Sequence, residues 1–195
     1  IFKHIQKDVD KASKKLAEER GACPDADEYG FKERFSNKTA IAPTASISII
    51  CGGASPGVEP IAANSYTHKT LSGSYNVRNR YLQAILKKHK KDNDETWSTI
   101  TTNQGSISHL DFLTSHEKDV FKTAFELDQK WIVEMGAERT PYISQAQSIN
   151  IFLPADVHKK ELHQIHFQAW KKGLKSLYYC RSKSIQRAEN VNKGL

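Results

Sequence analysis

Near the C-terminus a short apolar run, Ser148-Ile-Asn-Ile-Phe-Leu-Pro154, is followed by a helical pattern and then by a second apolar run from about Leu174 to Cys180. The helical pattern carries Leu162, Ile165, Ala169 and Trp170, with Asp156 as its expected N-cap and Gly173 as its stop. Strand, helix and strand joined by tight links form a βαβ unit, whose two strands run parallel.

The rest of the chain extends the pattern. Ile1, Ile5, Val9, Ala12 and Leu16 recur at helical spacing, and Gly21 follows as a C′ residue. Thr39 to Cys51 is apolar and β-branched, broken by Pro43, and Gly52-Gly53 and Pro56-Gly57 punctuate a loop after it. A basic amphipathic helix is expected from Val77 to about Lys91, and a shorter one from Glu95 to Thr101. Thr114 with Glu117 forms a capping-box pair. It opens a helix carrying Val120, Phe121, Ala124, Phe125, Leu127, Trp131 and Met135, ended by Gly136.

The 195 residues suffice for one domain or slightly more. Hydrophobic residues make up 38% and the mean hydropathy is −0.62, polar for a self-contained globule. An opening at Ile1 without Met and a close at Asn190-Val-Asn-Lys-Gly-Leu195 point to a fragment, whether truncated or the product of a split gene. Residues 183–195 are expected to form a flexible tail. The net charge of +7 favours anionic partners. Its local clusters, Lys87-Lys88-His89-Lys90-Lys91 and Lys171-Lys172, lack interleaved aromatics and read as solvated helix faces. Three widely spaced cysteines, Cys23, Cys51 and Cys180, argue against a disulfide framework or a zinc site and fit a reducing cytosol. No apolar run approaches the length of a membrane span.

Four features invite chemistry. Tyr178 and Tyr179 are adjacent phenols, each able to give up a proton and an electron together. Touching, they can relay an oxidising equivalent; the plain alternative is an aromatic strand. Pro43-Thr44-Ala45-Ser46-Ile47 places small hydroxyl residues where a helix start would aim amides at an anion, yet Ser46 to Ile50 also alternates like a strand. Glu59, in a glycine-rich stretch that is neither a Walker A nor a Rossmann fingerprint, is either a positioned carboxylate or a surface acid after a turn. His163 and His166 form the one close helical histidine pair; no carboxylate completes a metal triplet, and no metal site is expected.

Together these segments resemble the C-terminal part of the large, catalytic (alpha) subunit of class I ribonucleotide reductase. Ala12-Ser-Lys-Lys-Leu-Ala-Glu-Glu-Arg-Gly-Ala-Cys-Pro24 resembles that family's helix ending in a Gly-Ala-Cys-Pro turn. Ala42-Pro-Thr-Ala-Ser46, followed by Gly57-Val-Glu-Pro60, resembles its substrate-phosphate loop and the Gly-Ile-Glu-Pro element after it. Arg139-Thr-Pro-Tyr-Ile143, Gln145-Ala-Gln-Ser-Ile-Asn150 and Trp170-Lys-Lys-Gly-Leu-Lys-Ser-Leu-Tyr-Tyr179 follow in the family's order. Five motifs in order, at comparable spacing, make the resemblance specific.

The resemblance implies a ten-stranded α/β barrel, of which residues 1–195 would supply later strands and outer helices, incomplete alone. It implies an oxidoreductase that reduces ribonucleoside diphosphates to 2′-deoxyribonucleotides by radical chemistry for DNA replication. Pro43, Thr44, Ala45, Ser46 and Ile47 would cradle the substrate's phosphates, with Glu59 in support. Tyr178 and Tyr179 would pass the radical between a small (beta) subunit and a cysteine in the barrel, Tyr179 facing the partner. Cobalamin-dependent class II enzymes lack this dyad. The segment itself would hold no cofactor. The full enzyme would use a metal/radical cofactor in the small subunit, a dithiol reductant of thioredoxin or glutaredoxin type, and ATP or dNTP effectors. It would pair as a large-subunit homodimer in the cytoplasm, away from membranes.

Three departures accompany this. Ile47 stands where the family commonly has a hydroxyl, so only its backbone N–H is available to phosphate. The thiyl-radical cysteine, the redox pair and their neighbouring Asn and Glu belong upstream, so this chain alone should be inactive. Cys23, Cys51 and Cys180 match none of those motifs, and the reloading tail cysteines and the nucleotide-sensing region are absent. The rival readings are a basic nucleic-acid-binding module and a structural segment without catalytic role.

Overall fold

The computed structural model describes residues 1–71 and 73–182; the expected tail at 183–195 lies outside them. Its order is α1 (Phe2–Arg20), α2 (Pro24–Glu28), α3 (Ala45–Ile50), β1 (Ser65–Thr70), β2 (Gly73–Arg78), α4 (Arg80–Lys88), α5 (Asp94–Thr102) and α6 (Ser115–Val120). It continues through α7 (Gln129–Arg139), β3 (Ile151–Leu153), α8 (Lys159–Lys171) and β4 (Cys180–Ser182). Strand β1 pairs antiparallel with β2, and β3 pairs with β4. Among the described residues no barrel closes.

The chain divides into two compact units. One comprises Ile1–Pro43, Gln129–Ile151 and His158–Cys180. Here α1 stops at Gly21, whose φ of +83° suits a residue without Cβ. The buried face of α1 is not the expected aliphatic row. Ile1 and Ile5 are exposed, while Ser13 and Ala17 are buried. The Ser13 hydroxyl accepts from the Arg34 and Phe35 amides, fastening the chain after α2 onto α1. Lys38 pairs with Asp10 at 2.6 Å and Glu33 at 3.3 Å; burial opposes its charge, but these two carboxylates hold its pKa above the ordinary lysine value.

Helices α7 and α8 pack together, joined by Glu134, which accepts from Gln168 at 2.6 Å and pairs with Lys172 at 2.7 Å. Gly136 does not end a helix as expected; it lies inside α7. A Cβ there would stand 2.7 Å from Ile149 Cδ1 and 3.3 Å from Leu174 Cδ2, so the glycine permits close approach rather than termination. Its carbonyl also accepts from the buried Gln147 side chain. The N-cap of α8 is His158, whose Nδ1 accepts from the Lys160 amide, and not Asp156.

The other unit comprises Thr44–Asp128, Phe152–Val157 and Arg181–Leu195, the last described only at Arg181 and Ser182. Its core gathers Leu82 and Leu86 of α4, Trp97 and Ile100 of α5, and Ile107, Leu110 and Leu113 after them. Leu82, Leu86 and Ile100 are completely buried. The spacing of 82 and 86, and of 97 and 100, puts each pair on one helix face. Asn79 caps α4 and Asn93 caps α5. Helix α4 starts at Arg80, not at Val77, because Val77 pairs with Tyr66 in the β1–β2 hairpin.

The long helix expected after Thr114 is three pieces: α6, a 3₁₀ turn Ala124–Glu126, and α7. The Thr114–Glu117 capping box forms as expected, and a second one, Thr123 with Glu126, restarts the chain. Trp131 and Met135 of α7 are exposed. Buried Asn64 sews the unit together: its side chain donates to the Gly105 and Phe121 carbonyls and accepts from Asn79. Gly105 has φ +84°, and a Cβ there would overlap Ala63. Among the described residues no helix is long and apolar enough to cross a membrane.

Candidate functional site: a tyrosine pair and an exposed helix start

The run from Leu174 to Tyr179 is not the strand expected there; β4 covers only Cys180–Ser182. Two main-chain hydrogen bonds explain the difference. The Tyr178 N–H donates to the Ile149 carbonyl at 2.8 Å, and the Ile151 N–H donates to the Tyr179 carbonyl at 2.9 Å. Both contacts advance in the same direction along the two segments, so the segments are parallel, as the βαβ reading requires. In a regular parallel ladder the Ile151 N–H would meet the Tyr178 carbonyl. It reaches one residue further, leaving an extra residue on the tyrosine side, as a bulge does.

That slip has a consequence for the side chains. On an ideal strand, neighbours point to opposite faces. Here the rings of Tyr178 and Tyr179 lie together, with centroids 4.2 Å apart and planes tilted by 60°. Tyr178 is 46% and Tyr179 55% exposed, so both phenols are accessible. The break falls just before the described strand rather than at the end of one. The anchors, Ile149 and Ile151, are buried. The sequence supplies their apolar character, but nothing in it marks the slipped hydrogen bond.

The two readings of Pro43 to Ile47 separate clearly. Thr44 is the N-cap of α3, so Ala45, Ser46 and Ile47 form its first turn, and the alternating-strand reading falls. Residues 45–47 are exposed. First-turn amides of a helix have no acceptor within it, and the Thr44 side chain makes no capping hydrogen bond to them. The chain is drawn to the glycine-rich loop by the Thr44 N–H, which donates to the Pro56 carbonyl at 2.9 Å. At the far end Gly52 and Gly53 take φ of +87° and +79°, which favour glycine, and the Arg80 guanidinium lies beside Gly52, 3.2 Å from where a Cβ would stand.

Glu59 is not a surface acid: it is 5% exposed. Its carboxylate folds over Gly57, where a Cβ would overlap it, and its carbonyl accepts from the Ser55 hydroxyl. It therefore closes the turn that meets Thr44. Cys51 and Cys180 are exposed and Cys23 is half-buried. His163 stacks on Phe167, and His166 Nδ1 donates to the Leu162 carbonyl. No cluster of three or more His, Cys, Asp or Glu that would hold a metal occurs among the described residues.

Both segments lie within the span that comparison with known proteins matches. The family profile of the ribonucleotide reductase barrel domain matches residues 4–180. The ribonucleoside-diphosphate reductase large subunit of Invertebrate iridescent virus 6 is 47% identical over 98% of this chain and 20% of its own length. That of Invertebrate iridescent virus 3 is 42% identical over 98% of this chain and 31% of its own. Among solved structures, the Actinobacillus ureae class Id ribonucleotide reductase alpha subunit superposes with a TM-score of 0.83 at 38% identity, covering 94% of this chain and 33% of that one. The chain thus spans between a fifth and a third of the length of these relatives, and it belongs to the ribonucleotide reductase barrel-domain family.

Proposed function

We propose that this chain is the C-terminal portion of the catalytic barrel of a class I large subunit. That subunit reduces ribonucleoside diphosphates to 2′-deoxyribonucleoside diphosphates, and this portion supplies the substrate-phosphate segment and a tyrosine relay. The observation that carries the reading is the ring contact of Tyr178 and Tyr179 at a break in strand pairing. In the relay each phenol gives one electron and one proton toward an oxidised neighbour and regains both from the next group. The pair ends each transfer unchanged. A 4.2 Å separation of ring centroids suits such a hand-over.

At Pro43 to Ile47, the first-turn amides of α3, with the Thr44 and Ser46 hydroxyls, are donors for the diphosphate, and Ile47 contributes only its N–H. Glu59 acts through the turn it closes rather than by touching substrate. The names of the relatives support the substrate class. The radical-bearing small subunit, the remainder of the large subunit, its homodimer, a thioredoxin- or glutaredoxin-type reductant, ATP and dNTP effectors, and a cytoplasmic setting belong to the same proposal.

The test uses the complete large subunit reconstituted with its small subunit. Tyr178→Phe and Tyr179→Phe should each lower deoxyribonucleotide formation to background while nucleotide affinity stays at the unmodified level. Normal turnover in either variant would refute the relay.

A further inference from the structure

Independently of that reading, we infer that α1 carries a docking surface for the phosphodiester backbone of a nucleic acid. A helix advances by 3.6 residues per turn, so Lys3, Lys7, Lys11, Lys14 and Lys15 fall within about 120° of the α1 circumference. All five are exposed, and buried Ser13 and Ala17 lie outside that sector. Lys15 has a distant partner in Glu19 at 3.8 Å. Lys3, Lys7, Lys11 and Lys14 form no ion pair among the described residues. Asp10, at the edge of the sector, is engaged by Lys38. Asp8, exposed, lies at the opposite edge, and Glu18, at the far end, is the one carboxylate within the sector.

Like charges four residues apart on a helix repel one another. The ladder therefore weakens α1 on its own, and an anion laid along it relieves that repulsion. Its shape selects the anion. Lys3 to Lys15 spans about 18 Å along the axis, in steps of about 6 Å. A single phosphate or nucleotide would meet only one or two of these cations. A nucleic-acid strand presents a continuous row of phosphates, so several of them meet the ladder at once. No Phe, Tyr or Trp falls among these lysines on α1, so no base-stacking platform accompanies them and the contact is to backbone.

The experiment measures binding of the full 195-residue chain to a short mixed-sequence duplex DNA as salt is raised. With about four phosphates neutralised, log affinity should fall with log salt at a slope of about −3.6, a loss of about 100-fold between 50 and 200 mM. The combined variant Lys3→Gln, Lys7→Gln, Lys11→Gln, Lys14→Gln should flatten that slope by about 3–4, and the same four changes to Arg should restore it. Replacing Lys87, Lys88, Lys90 and Lys91 by Gln should leave the slope in place. Absence of binding at low salt, or a slope lost with the second set and kept with the first, would overturn the inference.

Discussion

Leu82, Leu86, Trp97 and Ile100 are at most 2% exposed, whereas Ile47, Ile49 and Ile50 of α3 are 58%, 57% and 84% exposed. Both sets are apolar residues on short helices in the same unit. In α4 and α5 the helical spacing collects them on one face that closes against the next element. In α3 the buried position goes to Ser48, whose hydroxyl donates to the Ala45 carbonyl. The tyrosine segment behaves like α3: its rings are half-exposed, and it is placed by two main-chain hydrogen bonds rather than by packing of the rings in a core. Stability is thus concentrated in α4 and α5, while the segments assigned chemistry are positioned by backbone geometry and left accessible.

Truncation breaks or sharpens this contrast most strongly. Leu86→Ala removes a fully buried side chain and should cost about 2–5 kcal/mol, read as a lower urea midpoint for the chain. Ile50→Ala should stay within about 0.5 kcal/mol. Equal losses would abolish the distinction.

A somewhat smaller loss, about 2–4 kcal/mol, is expected for Gly105→Ala, which combines a positive φ with overlap against Ala63. A neutral outcome in the same denaturation assay would show that the Asn64 hub does not fix the backbone there.

The smallest effect is electrostatic. The Glu117 carboxylate accepts from the Thr114 backbone N–H and then from His89, and these hold its pKa down at about 2 against an ordinary 4.5. A depressed carboxylate stabilises the fold above its unfolded pKa and loses that contribution as pH falls through the folded one. The stability difference between the unmodified chain and Glu117→Gln should be constant above about pH 4.5 and vanish near pH 2. A difference that grows on acidification would contradict the capping geometry.

Much of this was legible before the structure. The βαβ order, the Thr114–Glu117 box, the Gly21 stop and the short helix near residues 95–101 all follow from local chemistry. What escaped depends on long-range contact. Gly136 reads as a stop until Ile149 is seen packed against it. Val77 reads as helical until Tyr66 pairs with it. In the candidate site, the helix start at Thr44 was one of two open readings, since Ser46 to Ile50 alternates as a strand does. The tyrosine contact was demanded by the relay. The slip that permits it depends on which carbonyl the Ile151 amide reaches, and no local residue encodes that choice.

The central claim is that an oxidising equivalent resides, in passing, on Tyr178. The most direct measurement is electron paramagnetic resonance on the complete enzyme carrying, at position 178, an ortho-amino tyrosine, which is easier to oxidise than tyrosine. Mixed with small subunit, substrate and effector, it should trap an organic radical on that ring as the small-subunit radical disappears, and the signal should be lost with Tyr179→Phe in the same chain. A small-subunit radical that is consumed with normal product formation and no signal at position 178 would contradict the account.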